Sequence, residues 1–401
     1  MLGGFGLALL SVVAGTIVAG SIDPVAFPDI KLVCKALGES GPECVAGTVK
    51  AGVVSTAGIV VAMLVTWSMR RALPSAATAD APHALALPLA TASAAILGAA
   101  YLVAAIVAPP SLSRVAEISQ HAALISIVNL GWPIILQLAA MAPDFRTRLG
   151  YLASLVALLC ITPYRATVLA AAAFGIVFPA LAALLSTARE SSGFRMRTWS
   201  IWRWMAIAAG AIGVTAVAGA MILYQTAERT SPIFRTTVSA GETASSLALK
   251  LAQRIAYPIY QAHFAERLGE TQALPSALDE LASKLRLTRR ENLNQQLYRR
   301  IYGPGTVGET TSLYYGEAAA RTSLAPFAWV VAAPLLYVLA WVLLARMGVD
   351  VGILAGLAIW RGSLGGTFSV LPAFVLQVLI IWLLCRLTAL RAPATASNHG
   401  R

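Results

Sequence analysis

Charge is what this chain has least of. Only 12% of its 401 residues are charged while 58% are hydrophobic, against roughly 25% charged in a soluble domain, and the mean hydropathy is +0.73. That excludes a soluble globular enzyme. Cysteine is scarce as well: the 4 present form no Cys-x-x-Cys and no Cys/His cluster, so zinc and iron–sulfur chemistry lack ligands. No Walker A, His-Glu-x-x-His or Gly-x-Ser-x-Gly motif occurs, nor a Gly-x-Gly-x-x-Gly followed by a helix, and neither a metal nor a cofactor is expected. The apolar runs hold no Asp, Glu, Lys or Arg in their interiors, whereas ion-coupled transporters usually need ionisable groups there.

Long apolar runs are what the chain has. A membrane helix needs about 20 mostly apolar residues, and runs that meet or approach this lie near 3–20, 51–69, 85–108, 122–142, 166–187, 204–224, 326–345 and 369–388. Two shorter ones, 150–162 and 349–360, complete an alternating charge pattern. With ten spans, one set of loops collects Arg70, Arg71, Arg146, Arg148, Arg189, Arg195, Arg197, Arg203, Arg346, Arg386, Arg391 and Arg401 against Asp80, Asp144, Glu190 and Asp350. The excess of basic residues in membrane proteins marks the cytoplasmic side, so the net charge of +12 reads as orientation, with both termini cytoplasmic. Cys34 and Cys44 then face the oxidising side, either as a local disulfide or as two thiols.

The segment 225–325 is the one large polar stretch, and alternation puts it outside. Its periodicity is helical. Ser276 with Asp279 makes a capping box ahead of Leu278, Leu281 and Leu285, and Thr288 with Glu291 makes another ahead of Leu293, Leu297 and Ile301, which Gly303-Pro304-Gly305 ends. Leu247, Leu251, Arg254 and Ile255 suit a helix that Pro258 stops or kinks.

Arginine at the outer surface carries the functional signal. Arg165 sits in a tight outer turn, Pro163-Tyr164-Arg165; it either snorkels to the headgroups or binds a phosphate or diphosphate bidentately. The outer segment adds Arg229, Arg235, Arg254, Arg289, Arg290, Arg299 and Arg300, interleaved with Tyr257, Tyr260, Phe264, Tyr298, Tyr302, Tyr314 and Tyr315. Aromatic faces with polar edges suit sugar rings, and cations suit a diphosphate.

About ten spans, a short-span pair joined by a turn with an arginine, a large outer loop after the seventh span, and the stretch Gly-Glu-Thr-Thr-Ser-Leu-Tyr-Tyr-Gly-Glu at 308–317 resemble the Wzy-type O-antigen polymerases, with the O-antigen ligases sharing the layout. The Phe-Gly-x-x-Gly that usually follows the family's loop tyrosine is replaced here by Ala318, Ala319 and Ala320, and Arg165 and Gly175 stand one residue closer than the family's Arg and Gly. The resemblance implies an all-α integral membrane protein of GT-C-like layout: spans one to seven in 1–224, an extracytoplasmic helical loop in 225–325, and spans eight to ten with a cytoplasmic tail in 326–401. It implies a metal-independent glycosyltransferase of the bacterial inner membrane that polymerises polyprenyl-diphosphate-linked oligosaccharide repeat units into a surface polysaccharide. Ligase-type transfer and a lipid-linked oligosaccharide flippase remain the alternatives. Its partners would be the lipid-linked glycan, membrane lipids, and a chain-length regulator and flippase of the same pathway, with no nucleic acid. The candidate catalytic residues are Arg165 and Arg254 for the diphosphate and His263 as base, with Glu266 and Glu309 competing for that role. Arg235, Arg299, Arg300, Tyr260, Tyr314 and Tyr315 are the candidate substrate-binding residues.

The charge pattern gives a direct check of orientation. Reporter fusions after residues 75 and 195 should report cytoplasm and a fusion near residue 285 the outside; a cytoplasmic signal at 285 would put the arginine-rich segment on the wrong face.

Overall fold

The computed structural model describes residues 1–69, 83–107, 114–161, 244–271, 274–284, 287, 291–304, 306, 311–321 and 325–391. The expectations placed on Arg165, Arg235, Leu285, Thr288 and Glu309, and on the runs 166–187 and 204–224, lie outside the described residues. Among the described residues the chain is all helix, and four helices are long and apolar enough to cross a membrane. These are α1 (Leu2–Ser21), α3 (Gly41–Met69), α11 (Pro326–Arg346) and α13 (Thr367–Arg391, apolar through Leu387). The chain divides into two compact units, Met1–Ala77 with Glu242–Val378, and Thr78–Gly241 with Leu379–Arg401.

In the second unit, α4 (His83–Val107), α5 (Arg114–Met141) and α6 (Phe145–Ile161) pack on one another. The sequence run at 150–162 thus belongs to a helix that starts earlier, where Asp144 accepts from the Thr147 N–H at 2.8 Å and caps it.

The first unit is held by close helix contacts at small residues. A Cβ on Gly52 of α3 would lie 2.1 Å from Thr16 Oγ1 of α1, and one on Gly4 of α1 would lie 2.1 Å from the Gly356 carbonyl. Gly356 belongs to α12 (Gly352–Gly365). Within lipid, small residues let backbones approach and gain dispersion contacts where no hydrophobic drive exists. α3 has 29 residues, at 1.5 Å per residue about 43 Å. Its first turns therefore extend past the length a span needs and meet α2 (Pro28–Leu37) and α7 (Ala244–Thr271).

Part of the segment read as an outer loop is built into this unit. α7 runs through Pro258 to Thr271, so of the two outcomes expected of the proline, a stop or a kink, the stop does not occur. Its apolar face joins a core of Phe27, Ile30, Val33, Cys34, Cys44, Tyr260, Phe264 and Leu268. α9 (Leu293–Tyr302) adds the expected stripe of Leu293, Leu297 and Ile301 to that core. Its cap is Asn292 in a capping box with Gln295, and Gly303 at φ 106° ends it. α8 (Ala277–Lys284) has the Ser276–Asp279 box: Ser276 Oγ accepts the Asp279 N–H at 3.1 Å and Asp279 accepts from the Ser276 N–H at 3.3 Å. Leu278, however, is 77% exposed, and the buried side chain of that helix is Glu280, paired with Arg321. The Arg321 pairing, rather than the leucine stripe, sets which face turns inward.

A carboxylate ties α10 (Leu313–Ala319) to two spans. Glu317 is buried; its Oε2 accepts the Thr367 N–H at 2.7 Å and Trp329 Nε1–H at 3.0 Å, and its Oε1 accepts the Phe368 N–H at 2.9 Å. It thereby caps the first turn of α13 from another element, satisfying amide groups that a helix start leaves open.

Cys34 and Cys44 form a disulfide. Closing a loop of this length restricts the unfolded chain by about 3 kcal/mol in the chain-entropy account. Replacing both cysteines by serine should lower the unfolding free energy by about that amount, measured by urea unfolding of the detergent-solubilised chain with and without reductant; equal stability of the two forms would contradict the assignment.

Candidate functional site

α2 is short, and its two ends are both fastened to α7. At the first turn, Asp29 Oδ2 accepts from Gln253 Nε2 at 2.6 Å and Asp29 Oδ1 from the Tyr302 hydroxyl at 2.9 Å. Beyond the second end, in the loop that the disulfide closes, Glu39 Oε2 accepts from His263 Nε2 at 2.9 Å and Glu39 Oε1 from Arg267 Nε at 3.1 Å.

Beside the first of these fastenings lies an open cleft of about 280 Å³, lined by Asp29, Gln253, Arg254, Tyr257, Pro258, Gln261 and Thr311. Gln253, Tyr257 and Gln261 are spaced i, i+4, i+8 and so share one face of α7. Thr311, from the stretch 308–317, donates both its N–H and its hydroxyl to Gln261 Oε1 at 2.8 Å. Behind the cleft the Tyr257 and Tyr302 hydroxyls are 2.5 Å apart, which makes a chain Tyr257–Tyr302–Asp29.

Burial pushes the Asp29 carboxyl up to about 6, against the Tyr302 hydrogen bond, the Arg254 charge and the Gln253 hydrogen bond that pull it down. A carboxyl in that range changes protonation near neutral pH, as a general acid or base must. A guanidinium beside it supplies the complementary charge. Arg254 is exposed and lines the same cleft.

The other sequence candidates fall elsewhere. His263 is buried and lies between two carboxylates, with Nε2 on Glu39 and Nδ1 3.5 Å from Glu266 Oε2, beyond hydrogen-bond length. A Cβ at Gly47 of α3 would lie 2.2 Å from its ring, so only glycine admits the imidazole there. Burial lowers the His263 pKa, but Glu266 and Glu39 together raise it above the ordinary 6.5. His263 thus sits in a clamp between two carboxylates, outside the lining of the cleft. Glu266, the competing base, accepts from Lys50 Nζ at 3.0 Å and from the Tyr315 hydroxyl at 2.7 Å. Burial raises its pKa; His263, Tyr315 and Lys50 overcome this and bring it down to about 2.

The tyrosines expected to face sugar present no open ring. Tyr260 is buried and donates to the Ala19 carbonyl at 3.1 Å; Tyr314 is buried and donates to the Ile359 carbonyl at 2.9 Å; Tyr315 is buried on Glu266. Each phenol brings a large apolar body to the core and spends its hydroxyl on an internal acceptor. Arg299 and Arg300 are exposed in the last turn of α9, where cations suit the helix dipole; Arg299 pairs with Glu291 at 2.6 Å, and neither lines the cleft. Nothing in the local sequence marks Asp29 beyond its charge. Its partner Gln253 stands 224 positions away, a separation no local pattern reveals, although the polar stripe 253, 257, 261 was there to find. Among the described residues no group of His, Cys, Asp and Glu is arranged to hold a metal.

No family model, no curated protein and no solved structure matches the chain.

The clamp has a definite pH signature. His263, with its pKa raised, contributes stability below the unfolded value of 6.5 that is lost as pH rises. Glu266, with its pKa lowered, contributes above 4.5 and loses this as pH falls toward about 2. Asp29, raised to about 6 from 3.8, adds to the decline with rising pH between those values. Thermal unfolding in detergent should be most resistant between about 3.8 and 4.5, where the Glu266 gain and the Asp29 loss offset each other, and should fall from there as pH rises; His263→Gln should cost about 3 kcal/mol and flatten the fall above 6.5. An unchanged alkaline limb in that variant would show that the clamp does not titrate.

Proposed function

We propose that the chain is a glycosyltransferase at the outer face of a bacterial inner membrane, joining polyprenyl-diphosphate-linked oligosaccharide repeat units without a nucleotide sugar or metal. The observation that carries this is the pairing of Asp29, with its raised carboxyl, and Arg254 in one open cleft. Transfer of a glycan from a lipid diphosphate makes two demands on the protein. The acceptor hydroxyl must lose a proton, and the leaving diphosphate must be stabilised as it gains charge.

Asp29 takes the proton from the acceptor oxygen as that oxygen bonds to the anomeric carbon. The bond from that carbon to the diphosphate oxygen breaks, and its electron pair leaves with the diphosphate. While Asp29 is ionised it offsets the Arg254 charge. Once it is protonated that compensation is gone, and the guanidinium acts more strongly on the leaving diphosphate at the moment its charge develops. Arg165 and Arg235 are the further candidates for that group, as the resemblance to the O-antigen polymerases implies. The Cys34–Cys44 disulfide supports an outward-facing cleft, because such bonds persist in oxidising compartments. With both termini cytoplasmic, substrate would arrive from a flippase and product length would fall to a separate regulator. Ligase-type transfer of a finished glycan uses the same two steps and remains the runner-up.

Proteoliposomes holding the purified chain and a lipid-diphosphate-linked repeat unit provide the test. Transfer should rise with pH through about 6 as Asp29 ionises. Asp29→Asn should lose about 10²–10⁴-fold and Arg254→Ala about a hundredfold, close to 3 kcal/mol. Wild-type rates in Asp29→Asn would end this assignment of the base.

A further inference from the structure

The residues that line the cleft are mostly uncharged. Gln253, Gln261, Thr311 and Tyr257 supply amides, hydroxyls and one aromatic ring, and the two charged groups, Asp29 and Arg254, are of opposite sign. Electrostatic complementarity then favours a ligand with no net charge. The volume, about 280 Å³, falls just under the roughly 300–1,000 Å³ of pockets that enclose a drug-sized ligand, which leaves room for one ring with its substituents and not for two.

Gln261 adds a second, independent observation. Its residue is 1% exposed, and its Oε1 is fully used by Thr311. Its Nε2 is buried with no hydrogen bond of good geometry, the Tyr257 hydroxyl being the group beside it. A buried amide donor without an acceptor costs about 1–3 kcal/mol, so a ligand oxygen reaching it would be bound with advantage. Each Asp29 oxygen accepts one protein hydrogen bond, and a carboxylate has about four acceptor sites, so both can still take a hydroxyl. An amide donor, carboxylate acceptors and an aromatic ring around a one-ring volume match the alternating hydroxyls and apolar face of a sugar.

We infer that the cleft is a one-ring acceptor subsite that holds a single uncharged pyranose, read by the Gln261 amide and by Asp29; as an acceptor subsite it rests on the transfer reading above. The ring's hydroxyl nearest Asp29 is the nucleophile, and the rest of the glycan extends out of the open cleft, which leaves Arg254 to the donor's diphosphate beside the ring. An acidic sugar would bring a carboxylate against Asp29 and is excluded as the ring bound here.

Saturation-transfer NMR on the full-length chain in detergent tests this with methyl pyranosides of common neutral hexoses as probes and pyrophosphate as competitor. At least one pyranoside should bind in the millimolar range, raise the melting temperature of the wild-type chain, and resist displacement by pyrophosphate. Gln261→Glu keeps the oxygen that Thr311 requires and removes only the donor, so binding should weaken about tenfold, equivalent to 1.4 kcal/mol. Three results would overturn the inference: no pyranoside binding up to the solubility limit, displacement by pyrophosphate, or unchanged affinity in a folded Gln261→Glu chain. If no pyranoside binds while Asp29→Asn abolishes transfer, the subsite falls and the transfer reading stands.

Discussion

A helix of ten residues has little stability of its own in water, and α2 is ten residues long. It persists because α7 holds it at two points, through Gln253 on Asp29 and through His263 and Arg267 on Glu39, while the disulfide joins its last turn to α3. The cleft opens at the first of these points, with Asp29 and Gln253 in its lining. The contacts of His263 matter here less for their net energy, which desolvation erodes, than for what they fix: a buried imidazole between two carboxylates tolerates little sliding. Glycine at position 47 lets α3 come close enough to shield the imidazole from water, which strengthens the electrostatics it encloses.

A second buried ionic cluster does comparable work between α8, α10 and the spans. Arg321 pairs with Glu280, donates to the Glu317 carbonyl at 2.7 Å and lies over the Phe368 ring at 5.1 Å, and Phe368 in turn stacks on Trp329. The residues that follow the cleft-lining Thr311 therefore end in a fixed anchor. Thr311 can hold Gln261 because α10, just beyond it, is pinned to the starts of α11 and α13 by one carboxylate. Removing that carboxylate would leave three donors open, a loss that exceeds the value of any one bond.

Much of the helical framework was legible in the sequence because it rests on period and length. The apolar runs near 3–20, 51–69, 326–345 and 369–388 reappear as α1, α3, α11 and α13, and the Leu293, Leu297, Ile301 stripe is the buried face of α9. Caps were harder. Thr288 with Glu291 and Asn292 with Gln295 are equally good boxes four residues apart, and the one used is next to the first residue of the stripe. The site was least legible. A tyrosine on an amphipathic helix looks the same whether it faces a sugar or buries its ring and hydrogen-bonds a carbonyl, as Tyr260 and Tyr314 do. Arg254 was visible by type. Asp29 was hidden by its ordinary setting after a proline at a helix start, and only the long-range pairing with α7 moves its carboxyl into a useful range.

That long-range pairing also sets an order of events in the making of the protein. Asp29 and Gln253 are 224 positions apart, and at about 5–20 residues per second the ribosome needs roughly 11–45 seconds to deliver the second after the first. During that interval α2 has no α7 to lie on. Cys34 and Cys44 are only 10 positions apart, so their bond can close long before α7 arrives and keep the waiting helix against the start of α3. The disulfide is thus a placeholder in time: it holds one wall of the cleft ready, and the newborn chain has no site until the other wall is synthesised.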